Sequence, residues 1–147
     1  MIVFDANLLI YAYDGTATYH AKSRAWVEKT ISGSEAVGLP WHAITAFVRI
    51  MTNKRLPGAR FSMEQACQIV DQWLSQPNVR TLEPGEDHWS LLRQMLIEGQ
   101  AAGSMANDAQ IAALAIEYGG VLHTADRDFA RFPGLRWVNP LQTEATT

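Results

Sequence analysis

Short apolar runs alternate along the chain with longer segments in which apolar residues recur at helical spacing. We predict strands over five short runs: 2–4, 36–39, 79–82, 121–124 and 136–138. We predict helices over seven segments: 7–13, 20–32, 41–53, 62–75, 86–98, 105–118 and 127–132. Strands interleaved with helices favour an α/β fold whose sheet is mainly parallel.

Local residue chemistry predicts where several helices begin and end. Asn7 is a candidate N-cap for the first helix, and Ser62-Met-Glu-Gln65 has the form of a capping box. Glu86 would place an acidic residue in the first turn of its helix, where the helix dipole favours negative charge. Gly119-Gly120 is expected to stop the helix before it.

The composition is that of one folded domain. The chain has 147 residues, of which 48% are hydrophobic and 18% charged, so it can bury a substantial core. We assign residues 1–140 to a single domain and 141–147 to a C-terminal tail. Cys67 is the one cysteine, which excludes an intrachain disulfide, and we expect it to be a packed thiol in a reducing compartment.

Charge and hydropathy narrow the class of partner and the location. The net charge of −3 excludes a strongly basic nucleic-acid coat, but not an enzyme with a local basic rim. Apolar runs such as 111–116 are too short for a membrane helix, and Asp5 interrupts the apolar N-terminus, which argues against a signal peptide. We expect a cytoplasmic protein with no membrane partner.

Two aspartates lie just beyond the carboxyl ends of predicted strands. Asp5 comes after the first strand, and Asp126 lies two residues beyond Thr124. In open α/β sheets, ligands bind beyond the carboxyl ends of the strands, so the two carboxylates would meet if their strands are neighbours. The structural alternative is that Asp5 caps the following helix and Asp126 is an ordinary turn residue.

A third aspartate shares the buried face of a helix. Asp108 precedes Ile111, Ala112 and Ala115 at helical spacing, so it lies on the stripe that faces the sheet. Stabilisation by the helix dipole would explain an acidic residue there, but it does not require the buried face. Converging carboxylates need a cation, and oxygen ligands without a His or Cys set favour Mg²⁺ or Mn²⁺ over zinc.

Other catalytic motifs are absent from the sequence. The four histidines show no HExxH spacing, no GxSxG sequence occurs, and no P-loop follows the glycines at 99 and 103. Zinc hydrolases, serine hydrolases of the α/β type and P-loop nucleotidases are therefore disfavoured.

The ordered set of motifs resembles the PIN-domain ribonucleases, and most closely the VapC toxins of bacterial toxin–antitoxin systems. The matching segments are Asp5-Ala-Asn7, residues 39–53 (LPWHAITAFVRIMTN), Asn107-Asp108-Ala109, Thr124-Ala-Asp126-Arg127-Asp128-Phe129, and residues 131–137 (RFPGLRW). Each motif is weak alone. Together they keep order and spacing over nearly the whole chain.

The resemblance implies an α/β/α sandwich around a parallel sheet of about five strands. It also implies RNA as the substrate, with tRNA one candidate, a VapB-like antitoxin as partner, and a homodimer. One position departs from the family, which often carries a Glu three residues before the place of Arg49, where this chain has Ala46. The site therefore has fewer ligands, or Asp128 supplies the missing carboxylate.

We therefore predict a Mg²⁺-dependent endoribonuclease in which Mn²⁺ can substitute. Its expected catalytic residues are Asp5, Asp108 and Asp126, with Asp128 as a further metal ligand. We expect substrate contacts from Asn7, Arg49 and Arg127. Two alternatives stay open: a non-catalytic PIN-like module that binds RNA or protein, and a hydrolase of small phosphate esters, which the lack of a DxDxT motif disfavours.

Overall fold

The computed structural model describes residues 1–57 and 61–142. Its elements, in chain order, are β1 (Ile2–Phe4), α1 (Ala6–Tyr13), α2 (His20–Ile31), β2 (Val37–Pro40), α3 (Trp41–Met51), α4 (Met63–Leu74), β3 (Val79–Leu82), α5 (His88–Glu98), α6 (Met105–Glu117), β4 (Val121–His123), the 3₁₀ helix η1 (Arg127–Arg131) and β5 (Trp137–Val138). The predicted alternation of strands and helices is confirmed. The predicted tail lies mostly outside the described residues, which end at 142.

The strands form one sheet in the order β3-β2-β1-β4-β5, and every pairing is parallel. From β1 the chain builds outward to β2 and β3, and then crosses back to add β4 and β5 on the other side. The direction of construction thus reverses between β1 and β4, where Val3 pairs with Leu122. Ligand crevices of open parallel sheets lie at this kind of reversal.

Alternating side chains of the short strands serve two separate cores. Ile2 and Phe4 face a cluster that includes residues of α1, α2, α3 and α4. Val3 faces a second cluster built with α5, α6 and η1. Because successive side chains of a strand point to opposite faces, one three-residue strand is buried on both sides. The result is the α/β/α sandwich that the family resemblance implied, and its parallel sheet is the one that the sequence pattern predicted.

Several helix boundaries differ from the predictions in instructive ways. Asn7 is not the N-cap of α1; Asp5 is, and its carboxylate accepts from the backbone N–H of Ala6. The helix α5 begins at His88, so Glu86 precedes it and its first turn has no acidic residue. The capping box of Ser62 and Gln65 is confirmed.

Of two further local predictions, the helix stop at Gly119 is confirmed and the packing of Cys67 is wrong. Gly119 adopts a φ of 64° after α6, which explains the stop there because glycine enters this region without strain. Cys67 is exposed rather than packed, since its neighbour Ala66 takes the buried face of α4. Within residues 1–57 and 61–142, the structure contains no helix long and apolar enough to cross a bilayer.

Candidate active site

The parallel pairing of β1 with β4 brings two distant parts of the sequence into contact. The ladder continues past the strand ends, where the Asp5 N–H donates to the carbonyl of His123 over 3.1 Å. The hydroxyl of Thr124 then donates to Asp5 Oδ2 over 2.7 Å, and both residues are buried. Asp5 Oδ1 accepts from the Ala6 N–H over 2.7 Å. Asp5 is therefore held at the start of α1 from two sides.

Thr124 is the centre of a small hydrogen-bond network. Its Oγ1 accepts from the backbone N–H of Asp126 over 3.0 Å and from Asn7 Nδ2 over 3.4 Å, while it donates to Asp5. One hydroxyl thus positions Asp5, the backbone of Asp126 and the side chain of Asn7. A hydroxyl has one hydrogen and two lone pairs, so its bonding capacity is fully used.

Asp126 and Asp128 are coupled through the backbone that follows β4. Asp126 is the N-cap of η1, and its Oδ1 accepts from the N–H of Asp128 over 2.9 Å. Asp126 is partly buried, whereas Asp128 is exposed. The turn interpretation of Asp126 is correct as far as it goes, yet the turn also places its carboxylate in the electrostatic range of Asp5.

Asp108 approaches from the helix that leads into β4. It is in the first turn of α6, and Ile111, Ala112 and Ala115, which follow it, are buried against the sheet. Burial raises the pKa of the Asp108 carboxyl, and so do the charges of Asp126 and Asp128, while Arg131 lowers it. Because Asp126 and Asp128 act on the charge of Asp108, these three carboxylates lie in one region of the molecule.

Asp5 carries the largest perturbation of the site. Its burial raises the pKa of the carboxyl to about 6, against the hydrogen bonds from Thr124 and Ala6, which lower it. The nearby charges of Asp108 and Asp126 raise the pKa further. Burial therefore outweighs the two hydrogen bonds, and ionisation of Asp5 at neutral pH destabilises the folded protein.

The donor set fits a hard divalent cation. Asp5, Asp108 and Asp126 supply carboxylate oxygens that destabilise one another's charge, and a cation would remove that destabilisation. Asn7 Oδ1 is buried and has no hydrogen-bond partner among the described residues, so a further oxygen is left unsatisfied beside Thr124. As the side chains stand in the described residues, no three His, Cys, Asp or Glu side chains lie close enough together to hold a metal ion.

Two residues of this region were missed by the sequence analysis. Tyr11 is partly buried on α1, and burial raises the pKa of its hydroxyl, as do the charges of Asp5 and Asp126. Thr124 was treated only as the end of a strand, although its hydroxyl organises the site. A polar residue in an apolar run, directly before the Asp126 turn, is the sequence signal that could have indicated Thr124.

Ala46 lies close to the site in the fold. It is 8% exposed and packs with Ala6, Ala43 and Ile10 between α1 and α3. Ala6 directly follows Asp5, so position 46 faces the helix whose N-cap is the central carboxylate. The small side chains at this contact let the two helices approach closely, and they leave the region without an acidic residue from α3.

The basic residues expected to contact substrate lie in different places. Arg49 is exposed in the last turn of α3, and its charge, after the larger effect of burial, lowers the pKa of His42. Arg127 is exposed beside Asp126 and lines a surface groove. Arg131 is tied by its guanidinium to the carbonyls of Gly99 and Gln100, both at 3.3 Å. Arg131 was not among the expected substrate contacts, but its charge is the one that acts on Asp108.

Known proteins resemble this chain over almost its whole length. A family model described as the PIN domain matches residues 2–135. The chain is similar to ribonuclease VapC33 of Mycobacterium tuberculosis, with 38% identity over 142 residues, covering 97% of this chain and 99% of that protein. It is also 38% identical over 141 residues to ribonuclease VapC43 of the same organism, covering 96% of each.

Solved structures share the architecture at lower identity. VapBC2 from Rickettsia felis, bound to a DNA fragment from its promoter, aligns with a TM-score of 0.68 and 18% identity, covering 95% of this chain and 98% of that one. VapC20 of Mycobacterium tuberculosis, described as a sarcin–ricin loop cleaving toxin, aligns with a TM-score of 0.66 and 18% identity, covering 92% and 99%. These likenesses bear on the fold alone.

Proposed function

The chain belongs to the PIN-domain family, and we propose on that basis that it is an endoribonuclease of the VapC type, requiring Mg²⁺ or Mn²⁺. Similarity to VapC ribonucleases over almost the full length supports the reaction class. The convergence of buried and partly buried carboxylates at the reversal between β1 and β4 is the observation that carries the metal-dependent mechanism.

Asp5, Asp108 and Asp126 are the residues that would hold the cation, with Asp128 beside them as a further carboxylate. A bound divalent ion activates water for attack on phosphorus and neutralises charge on the leaving oxygen. The unsatisfied Asn7 Oδ1 is buried at the same junction, where a bound water would satisfy it.

The remaining site residues position these carboxylates. Thr124 fixes Asp5 Oδ2 and the backbone of Asp126 with one hydroxyl, so two potential ligands keep a constant separation. The Ala6 N–H holds the other oxygen of Asp5 at the positive end of α1. Arg127, which is exposed and follows Asp126 in the chain, would bind a phosphate of the substrate. Arg49 would contact a more distant part of the RNA.

We further propose the cytoplasm as the location, a homodimer as the assembly and a VapB-like antitoxin as the partner. Structures similar in fold include VapBC complexes, such as VapBC-1 from nontypeable Haemophilus influenzae. A cavity of about 270 Å³ beside α1, α2 and α4 has an apolar side formed by Tyr13, Val27, Ile31 and Trp73 and a polar side formed by Glu28, Ser32, Gln72 and Gln76. Its apolar side chains would accept an amphipathic helix of the antitoxin.

The deciding experiment treats total bacterial RNA with the purified chain in Mg²⁺, in Mn²⁺ and in EDTA. We expect discrete cleavage products with either metal and none in EDTA, and none from Asp108→Asn. Binding of Mn²⁺ without any cleavage would favour a non-catalytic RNA- or protein-binding module instead. Hydrolysis of p-nitrophenyl phosphate with intact RNA would indicate a small-phosphoester hydrolase.

A further inference from the structure

A polar groove of about 580 Å³ opens beside the carboxylates. It is lined by residues that include Tyr19, Lys22, Ala125, Arg127 and Asn139. Ala125 and Arg127 flank Asp126 in the chain, and Asp126 has an extended backbone with φ −98° and ψ 113°. The groove is therefore lined by the two residues on either side of a carboxylate that we propose as a metal ligand.

The two cations of this groove are available for a ligand. Lys22 and Arg127 are exposed, and neither forms an ion pair within residues 1–57 and 61–142. They come from different elements, the first turn of α2 and the start of η1, so the fold brings them to one groove from 105 residues apart in sequence. The carboxylates next to them would repel a polyanion, whereas these two positive charges would attract it.

Aromatic rings connect the carboxylates with the groove. Burial raises the pKa of the Tyr11 hydroxyl, and the charges of Asp5 and Asp126 raise it further, so Tyr11 lies near both carboxylates. Its ring centre lies 6.1 Å from that of Tyr19, and the two rings are tilted by 46°. Tyr19 is 48% exposed and lines the groove beside Lys22. An exposed ring next to two free cations is the arrangement in which single-stranded nucleic acids bind, with bases stacked on aromatic faces and phosphates held by Lys or Arg.

We propose that this groove is a subsite for the nucleotide that flanks the scissile phosphate of a single-stranded RNA. Tyr19 stacks on the base of that nucleotide, and Lys22 and Arg127 bind its phosphate. The assignment rests on the proposed ribonuclease function and adds to it the side chains that bind the flanking nucleotide. A base in a duplex is already stacked and paired, so it cannot lie on Tyr19 without leaving the helix.

The test measures binding separately from cleavage. Fluorescence anisotropy of a short fluorescein-labelled single-stranded RNA of mixed sequence is followed in EDTA, over a range of salt concentrations. Lys22→Gln and Arg127→Gln should each reduce the slope of log K against log salt by about 0.7, the value for one phosphate contact on a single strand. Lys29→Gln is the matched control, because Lys29 has the same charge in the last turn of the same helix.

Tyr19 is tested by two substitutions that separate stacking from the hydroxyl. Tyr19→Ala should weaken binding roughly tenfold with the salt slope unchanged, whereas Tyr19→Phe should bind as the parent does. An annealed duplex of the same sequence should bind without sensitivity to Tyr19→Ala. Equal slopes for Lys22→Gln, Arg127→Gln and Lys29→Gln, together with full affinity of Tyr19→Ala, would overturn the subsite.

Cleavage assays in Mg²⁺ distinguish this inference from the proposed activity. Full kcat/KM on total RNA in all groove variants would refute the subsite and leave the ribonuclease function standing. Groove-dependent RNA binding without cleavage by the parent would refute the ribonuclease function and leave an RNA-binding groove. With both proposals correct, the groove variants raise KM while Asp108→Asn abolishes cleavage and retains groove-dependent RNA binding.

Discussion

The Thr124 hydroxyl donates a 2.7 Å hydrogen bond to Asp5 Oδ2 across 119 positions of sequence. This bond joins the carboxyl ends of β4 and β1, the two strands between which the order of the sheet reverses. It favours the ionised form of Asp5, but burial outweighs it, and the pKa of Asp5 is about 6. The hydrogen bond from Thr124 therefore offsets part of the free-energy cost of burying the Asp5 carboxylate.

Replacing Thr124 with Val should destabilise the protein and do so most at neutral pH. The change keeps the shape but removes the donor to Asp5 and the acceptor of the Asp126 N–H, at a cost of about 2–4 kcal/mol in the free energy of unfolding. The pKa of Asp5 should rise above that of the parent, since one of its two stabilising hydrogen bonds is lost. Urea unfolding in EDTA at pH 5 and pH 7.5 measures both effects.

Thr124→Ser is the control for that experiment, because it keeps the hydroxyl and loses only a buried methyl group. It should cost about 1 kcal/mol, equally at both pH values. If Val and Ser had the same pH dependence, the hydroxyl would not be what positions Asp5.

The raised pKa of Asp5 predicts a definite pH dependence for the metal-free protein. A carboxyl whose pKa is higher in the folded state contributes stability that is present below the unfolded pKa and lost as the pH rises through about 6. A rise from 3.8 to about 6 corresponds to about 3 kcal/mol. The raised pKa of Asp108 acts in the same direction.

The difference in unfolding free energy between the parent and Asp5→Asn isolates this contribution. From about pH 4 to about pH 7, the parent should lose about 2.4 kcal/mol relative to the variant, which is most of the full effect. Asparagine is a good N-cap, so the bond from Ala6 is retained, although Thr124 loses a charged acceptor and the net gain at pH 7 is smaller. Parallel pH curves for the two proteins would contradict the assignment of the raised pKa to Asp5.

The same carboxylates should be essential for cleavage. Asp5→Asn and Asp108→Asn each remove a negative oxygen ligand, and we expect cleavage in Mg²⁺ to fall roughly a hundredfold or more, since metal stabilisation of charge is worth several kcal/mol. Asp71→Asn, on the exposed face of α4, should retain full activity. Circular dichroism and a melting curve show that the inactive variants are folded. Full cleavage by either variant would exclude that residue from the site.

The sequence predicted the strands and the sheet because short apolar runs separated by amphipathic segments have few other solutions. Asp108 could be found in the same way, since a carboxylate on the stripe of Ile111 and Ala112 breaks the expected polarity. The N-cap of α1 was assigned wrongly to Asn7 because Asp and Asn are nearly equal caps. The end of β1, which decides between them, depends on pairing with β4.

Features set by tertiary contacts were not predictable from local pattern. Tyr11 belongs to the site because α1 begins at the carboxyl end of β1, close to the residues that follow β4, so that Asp5 and Asp126 both act on its hydroxyl. No local spacing in the sequence encodes this proximity. The groove of Lys22 and Arg127 arises from elements distant in the chain. The exposure of Cys67 depends on which side of α4 meets the core, and an error of one residue in the helical phase, about 100°, reverses it.

Ala46→Glu tests whether this site lacks one ligand. Ala46 is buried against Ala6, the residue after Asp5. A glutamate at position 46 would therefore add a carboxylate near Asp5, whose pKa is already raised by burial and by the charges of Asp108 and Asp126. In EDTA we expect the free energy of unfolding to fall by several kcal/mol, because the new charge is buried and unpaired. With Mn²⁺ present we expect recovery and roughly tenfold tighter metal binding, since hard cations gain affinity with each oxygen ligand.

Thr45→Glu is the matched control, because Thr45 is the exposed neighbour of Ala46 on α3. It should leave both Mn²⁺ affinity and stability almost unchanged. Calorimetric titration with Mn²⁺ and melting curves with and without the metal measure the two quantities. Unchanged Mn²⁺ affinity in a well-folded Ala46→Glu variant would mean that position 46 is not the vacant ligand position. The match of segment 39–53 to the family motif would then be wrong, and Asp128 would be the better candidate for the fourth carboxylate.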